Sequence, residues 1–307
     1  MGEPVGHHWT FRAMGSPCEL QCHVPPAIDA EHVYALAVAE VERLEARYSR
    51  YREDSFLSQI NRVAAAGGRI EVDEETAGLL RYADTCFRQS DGLFDITSGL
   101  LRKAWRFDRD ELPDPDRITA LLRRVGWDRV NWTGSTLHFS PGMEIDFGGI
   151  VKEYAADRVA SLCASAGVRH GMINLGGDIR ILGPQPDGSP WRIGVRDPRE
   201  PGAVLGVLTL TEGGIASSGD YERGITVGGV RFGHILNPTT GWPVSFLRAV
   251  TVVGELCLVA GSASTIAMLK GESGPSWLQA LGLPHLWMDH RGHAGGSLEA
   301  AAASDRR

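Results

Sequence analysis

The sequence predicts an α+β fold. Three observations carry that expectation. Helical and strand patterns are mixed along the chain without a steady strand–helix alternation. No GxGxxG follows a first strand and no GxxxxGK[ST] occurs, so dinucleotide-fold and P-loop readings lose support. The 38 glycines cluster at turns, as in a fold built from many short strands.

Taken in order, Trp9 to Val24 reads as two short strands broken at Met14-Gly15-Ser16-Pro17, with Leu20, Cys22 and Val24 alternating with polar residues. A long helix follows from Asp29 to Tyr48, with Val33, Leu36, Ala37, Val41 and Leu44 on one face and Asp29 as N-cap. Asp54-Ser55 caps a short helix, Asp73 caps another that runs through Phe87, and Asp114 to Val125 forms a third. Trp127 to Phe147 reads as strands with a turn at Thr133-Gly134. Gly148-Gly149 then opens a helix with Ile150, Tyr154, Ala155, Val159 and Leu162 on one face. Strands are expected on both sides of Gly176-Gly177-Asp178, then over Trp191–Arg196, Ala203–Leu210, Gly214–Ser217 and Ile225–Leu236. Ala249–Val253 leads into a helix, Cys257–Leu269, and His285–Met288 is a last strand. No linker interrupts the chain, so residues 9–290 read as one domain, open to division into two lobes, and 291–307 as a disordered tail.

The composition, 43% hydrophobic and 22% charged, is that of a globular chain with ample core material. A net charge of -7 without a dense Lys/Arg block argues against nucleic acid or an anionic membrane as the main partner. No apolar run is long enough to span a membrane. The opening MGEPVGHHWTFRAMGS has no apolar signal core, so a cytoplasmic location is expected for the chain as given, with export open if the start lies upstream. Five scattered cysteines form no zinc pattern and read as reduced thiols.

The stretch from Met143 to Val159 organises the functional reading. A glycine turn entering a helix offers unpaired N–H groups and a positive dipole end to an anion, with Asp146 and Lys152 placing one charge of each sign beside it. Similar glycine-flanked polar clusters recur along the chain, as expected of loops that converge on one cleft.

Seven of these clusters, MGS, SRYREDSFLSQIN, DGLFDIT, IDFGGIVKEYAAD, INLGGDI, ASSGDYER and HILNPTTG, occur in the order seen in the ApbE-like family of FAD:protein FMN transferases, which the chain resembles from Met14 to about Thr265. The resemblance implies a T-fold-like architecture with mixed sheets, packed helices and a flavin-nucleotide cleft. It also implies transfer of the FMN moiety of FAD to a Ser or Thr hydroxyl of an acceptor flavoprotein, with release of AMP. An FAD pyrophosphatase and a flavin-binding or flavin-delivery protein are the alternatives.

By the same resemblance, Met14, Tyr51, Leu93, Phe94, Asp95 and Leu236 contact the nucleotide, and Asp146 and Lys152 both bind it and take part in catalysis. His234 is expected to assist the attacking hydroxyl. In isolation Met14 and Phe94 read as core residues and His234 as a structural histidine. The family's Mg²⁺ ligands correspond to the Gly149 carbonyl, Thr265 and an aspartate, but here the aspartate position is Gly261. Gly149, Ser264 and Thr265 remain as neutral oxygen ligands, which predicts a weaker site filled chiefly when FAD phosphates are present. Glu153 stands where the family often has Gly; supplying the missing charge is open to it, but it is expected to face solvent.

Overall fold

Local capping sets the first helices. The computed structural model describes residues 3–200, 202–221 and 223–298. Strands β1 (Val5–Ala13) and β2 (Ser16–Val24) form an antiparallel hairpin whose turn holds Met14 at φ +50° and Gly15 at φ +71°. Asp29 then caps α1 (Ala30–Tyr48) by accepting the N–H groups of Glu31 and His32 at 3.0 and 3.4 Å. Val33, Ala37, Val41 and Leu44 are buried on one face of that helix, as their spacing requires. Ser55 caps α2 (Phe56–Ala66) and Asp73 caps α3 (Glu74–Gln89), with the short strand β3 (Arg69–Glu71) between them. A 3-10 turn over Ser98–Lys103 and the eight-residue α4 (Pro115–Leu122) follow, then β4 (Asn131–Thr133) and β5 (Thr136–His138), which pair with β3 in a small sheet.

Met143–Phe147, expected as a strand, is extended but unpaired with any strand. The Asn61 side chain takes that place, giving its Nδ2–H to the Ile145 carbonyl at 2.9 Å and accepting the Ile145 N–H at 2.8 Å. Its alternating Glu144 and Asp146 point to cations, so the period-two pattern reflects a charged anchor.

Helix α5 (Val151–Ser165) follows, then β6 (His170–Leu175) and β7 (Asp178–Gly183), the hairpin β8 (Trp191–Arg196) and β9 (Val204–Leu210), and β10 (Gly213–Gly219). Gly228 and Gly229, both at positive φ, turn β11 (Gly224–Val227) into β12 (Val230–Gly233). The chain continues through β13 (Leu247–Gly254), α6 (Cys257–Lys270), α7 (Gly274–Ala280), β14 (His285–Asp289) and β15 (Ala294–Gly296). Residues 291–298 fall in the expected disordered tail, yet β15 pairs with β14 there; 299–307 lie outside the described residues.

The main sheet has eight strands in the order β1-β2-β6-β7-β10-β13-β14-β15, with every neighbouring pair antiparallel. Helices α5 and α6 pack on it and on each other, and α1 packs on α5. Ile179, Ile181 and Ile215 bury against the β8–β9 hairpin through Trp191, Ile193 and Val195. The centre of the sheet is therefore covered on both faces. All five cysteines (Cys18, Cys22, Cys86, Cys163, Cys257) are buried and unpaired as disulfides. No helix among the described residues is long and apolar enough to cross a membrane.

Candidate active site

One cleft of about 1160 Å³, counting space open to solvent, gathers residues from Leu93, Asp146, Lys152, Asp178, Ser218, His234 and Thr265. These positions are separated along the chain by up to 172 residues, the span from 93 to 265, and meet because α5, α6 and the strand ends of the main sheet converge there.

Asp146 sits at the cleft wall. Its backbone N–H is held by the Ile96 carbonyl at 2.7 Å, and its Oδ1 accepts the Gly148 N–H at 3.0 Å, which shapes the glycine turn before α5. Its Oδ2 receives Arg50 Nη1 at 2.6 Å and lies 3.3 Å from Arg102 Nη1. Arg50 also donates to Glu144 at 2.9 Å, and Lys103 to Glu144 at 2.7 Å. Gly99 is required here, since a Cβ on it would come within 2.6 Å of the Asp146 Cβ. Arg50 and Arg102 are missing from the sequence-derived site. Arg50 lies beside the chosen Tyr51 in SRYREDS, so the motif held the signal.

The start of α5 at Ile150 has no side-chain cap, and Gly148 and Gly149 both line the cleft beside it. Lys152, in the first turn, reaches the Asp178 carboxylate at 2.8 Å. Asp178, the sixth residue of INLGGDI, is another cleft residue absent from the sequence-derived site.

Glu153 is the main correction. Expected in solvent, it is 6% exposed and lines the cleft floor. Its Oε2 finds no hydrogen-bond partner among the described residues. Burial, and then the neighbouring Asp178 carboxylate, push its pKa up to about 8. The space it fills belongs to position 261: a Cβ on Gly261 would meet Glu153 Cγ at 2.5 Å and Oε1 at 2.7 Å.

His234 follows β12 and lines the cleft half-buried. Burial pulls its pKa down to about 4, opposed by the hydrogen bond from Nδ1 to the Arg223 carbonyl at 3.2 Å. A carbonyl accepts only, so Nδ1 carries the proton and Nε2 is left as an acceptor. Leu236, two residues on, is buried and bridged to Pro243, and lines the same cleft.

The remaining expected contacts divide. Leu93 and Phe94 line the cleft, and the Phe94 N–H is fixed by Ser90 Oγ at 2.7 Å. Asp95 lines it too, but its oxygens accept the Thr97 N–H and hydroxyl at 2.7 and 2.6 Å and the Trp127 N–H at 3.0 Å, so its carboxylate serves the loop. Met14 packs on the main core from the β1–β2 turn, and Tyr51 is 76% exposed; neither lines the cleft. Thr265 lines it, with its Oγ1 3.0 Å from Ser218 Oγ. Ser264 does not fit the ligand role expected of it. It is fully buried, and its hydroxyl donates to the Gly261 carbonyl at 2.9 Å within α6.

The ApbE family profile matches residues 14–287. An FAD:protein FMN transferase of Rhodobacter capsulatus is 31% identical over 86% of this chain and 51% of its own length. The chain thus spans about half of that relative. One from Vibrio cholerae is 31% identical over 86% of this chain and 81% of its own. Among solved structures, the ApbE protein of Thermotoga maritima superposes with a TM-score of 0.87 at 29% identity, covering 97% of both chains. The Pseudomonas stutzeri flavinyl transferase ApbE, in its apo form, superposes with a TM-score of 0.86 at 27% identity, covering 99% of this chain and 96% of that one.

Proposed function

The chain belongs to the ApbE family, and from that premise we propose that it transfers the FMN half of FAD to a Ser or Thr hydroxyl of an acceptor flavoprotein. The observation that supports this reading most is the convergence on one cleft of four distant motifs, DGLFDIT, DFGGIVKEY, INLGGDI and HILNPTTG.

The substrate's charge and shape suit this cleft. Leu93 and Phe94 offer apolar and aromatic surface to a flat ring system. Lys152 and the uncapped start of α5 favour the pyrophosphate, one as a point charge and the other as a set of N–H dipoles. Arg50 and Arg102 hold Asp146 in one orientation, so the glycine turn keeps its shape when the nucleotide enters.

Transfer is an in-line displacement at the FMN-side phosphorus. The acceptor hydroxyl oxygen forms a new P–O bond, the bond from that phosphorus to the bridging oxygen breaks, and AMP leaves. The hydroxyl proton passes to Nε2 of His234, which burial keeps neutral through physiological pH. Gly149 and Thr265 both line the cleft; the Gly149 carbonyl and Thr265 Oγ1 would hold Mg²⁺, which would neutralise charge on the pyrophosphate oxygens.

The test is incubation with FAD, Mg²⁺ and candidate acceptor proteins, followed by mass measurement of the acceptor. A covalent FMN adduct with stoichiometric AMP is expected. AMP and free FMN without an adduct would instead mean hydrolysis, and intact bound FAD would mean a binding protein.

A further inference from the structure

A buried carboxylate is stable only when something compensates it. Left without hydrogen bonds, an ionised carboxyl in the interior is strongly disfavoured. Glu153 has that problem. One of its oxygens has no partner among the described residues, and the facing charges do not remove the need. Asp178 and, less, Asp157 add repulsion; the Lys152 ammonium, which pairs with Asp178 at 2.8 Å, and the Glu153 backbone N–H offset only part of the burial.

Its position explains what compensates it. Gly261 and Thr265 lie four residues apart on α6 and share a face. A side chain at 261 would project into the volume that Glu153 Cγ, Cδ and Oε1 occupy, at 2.5, 2.9 and 2.7 Å from the would-be Cβ. The Glu153 carboxyl therefore stands one helical turn from Thr265, where a carboxylate borne by α6 itself would stand. Thr265, Gly149 and Glu153 all line the same cleft.

We propose that Glu153 is the carboxylate ligand of a divalent-cation site at the cleft floor, together with Thr265 Oγ1 and the Gly149 carbonyl, and that Gly261 is small because a carboxylate from α5 fills its place. The inference rests on the flavin-transfer reading for its nucleotide but not for its ligands. It revises the expectation of a weak, carboxylate-free site. One carboxylate with a hydroxyl and a carbonyl is a hard, all-oxygen set that suits Mg²⁺ or Mn²⁺. No cluster of three His, Cys, Asp or Glu converges among the described residues, which sets it apart from a zinc or di-iron type of centre. Glu at 153 requires the residue without a side chain found at 261, since any Cβ there would overlap it.

The test is Mn²⁺ binding followed by electron paramagnetic resonance on the full chain, with and without FAD. The proteins compared are the wild type, Glu153→Gln, Gly261→Asp, and the double variant Glu153→Gly/Gly261→Asp. Glu153→Gln keeps volume and fold and is expected to weaken Mn²⁺ binding at least ~10-fold, in the range seen when metal-site partners are removed. The double variant is expected to recover binding to within a few-fold of wild type, while Gly261→Asp alone, with two carboxylates in one space, is expected to fold poorly. Unchanged Mn²⁺ affinity in Glu153→Gln overturns the proposal, as does a wild type that binds no Mn²⁺ in either condition. Should Glu153→Gln misfold, the double variant decides alone: a folded protein that binds no Mn²⁺ overturns the proposal. If Mn²⁺ binding follows Glu153 but no acceptor gains FMN, the metal assignment stands and the transferase reading falls; if Mn²⁺ binding ignores Glu153 while acceptors are modified, the reverse holds.

Discussion

Helices α5 and α6 pack against each other, yet their starts are finished in opposite ways. At the start of α6, Asp157 reaches over from α5 and accepts the N–H groups of Cys257 and Leu258 at 3.0 and 2.9 Å, with Arg180 Nε 3.3 Å away. The start of α5 has no side-chain cap, and Glu153, one turn before Asp157, brings its Oε1 against the same helix at Gly261 while its Oε2 has no partner among the described residues. Burial raises both carboxyl pKa values. Two backbone hydrogen bonds and Arg180 pull Asp157 back, whereas Asp178 pushes Glu153 further. The difference teaches that depth alone does not mark a functional carboxylate. What matters is whether the fold has already used its oxygens, and Asp157 is used where Glu153 is not.

The comparison breaks most readily at Glu153. Glu153→Gln is expected to slow FMN transfer by ~10²-fold or more, since several kcal/mol of charge stabilisation at the phosphates goes with the cation. Its melting temperature should hold or rise, because an ionisable carboxyl buried beside Asp178, with one oxygen unpartnered, gives way to a neutral amide. A lower melting temperature with full activity would make Glu153 a second Asp157. The opposite pattern is expected for Asp157→Ala. Losing two charge-assisted bonds to the start of α6 should cost about 2–3 kcal/mol by thermal or urea unfolding, with the turnover of the folded protein nearly unchanged.

Gly261→Ala sharpens the contrast through a change of sign. In the wild-type background the added methyl collides with Glu153 and should cost about 1–2 kcal/mol as overpacking. In a Glu153→Gly background the same change should stabilise by a few tenths to about 1 kcal/mol, from helix propensity alone. Equal effects in both backgrounds would mean that the two positions do not share one space.

A further effect concerns His234, half-buried in the cleft. Its folded pKa, about 4, lies below the ordinary 6.5. The unfolded chain therefore takes up the proton first, and the stability tied to neutral His234 is complete above pH 6.5 and lost as pH falls through about 4. Unfolding free energies measured across that window should fall less steeply in His234→Asn than in the wild type.

Much of this architecture was legible because its signals are local. Asp29, Ser55 and Asp73 each cap the helix that begins one residue later, and the Gly176-Gly177 turn separates two strands as its residues require. The misreadings come from partners far along the chain. Met143–Phe147 alternates like a strand, but its acids answer to Arg50, 94 and 96 residues away. Glu153 looks like a solvated residue of a first helical turn until Gly261, on α6, is seen to leave room for it. The short α7, opened by Gly-Pro, and β15 in the Gly-rich tail depend on packing against α6 and β14, which no window of sequence contains. Leu93, Phe94, Asp146, Lys152, His234 and Leu236 stand out within their motifs, whereas Arg102 and Asp178 adjoin no such residue in the sequence and meet Asp146 and Lys152 only in the fold.

The buried thiols give this molecule a set of built-in depth gauges. They sit on four different elements, Cys18 and Cys22 on β2, Cys86 on α3, Cys163 on α5 and Cys257 on α6. Burial raises every one of their pKa values, to about 11 at Cys22 and about 12 at Cys163. A thiol reagent attacks only the exposed thiolate, so none of the five reacts until its own element opens. The order in which they become labelled in native buffer is then the order in which the layers of the fold come apart, with Cys257 reporting whether the start of α6 lets go of Asp157 before the sheet loses β2.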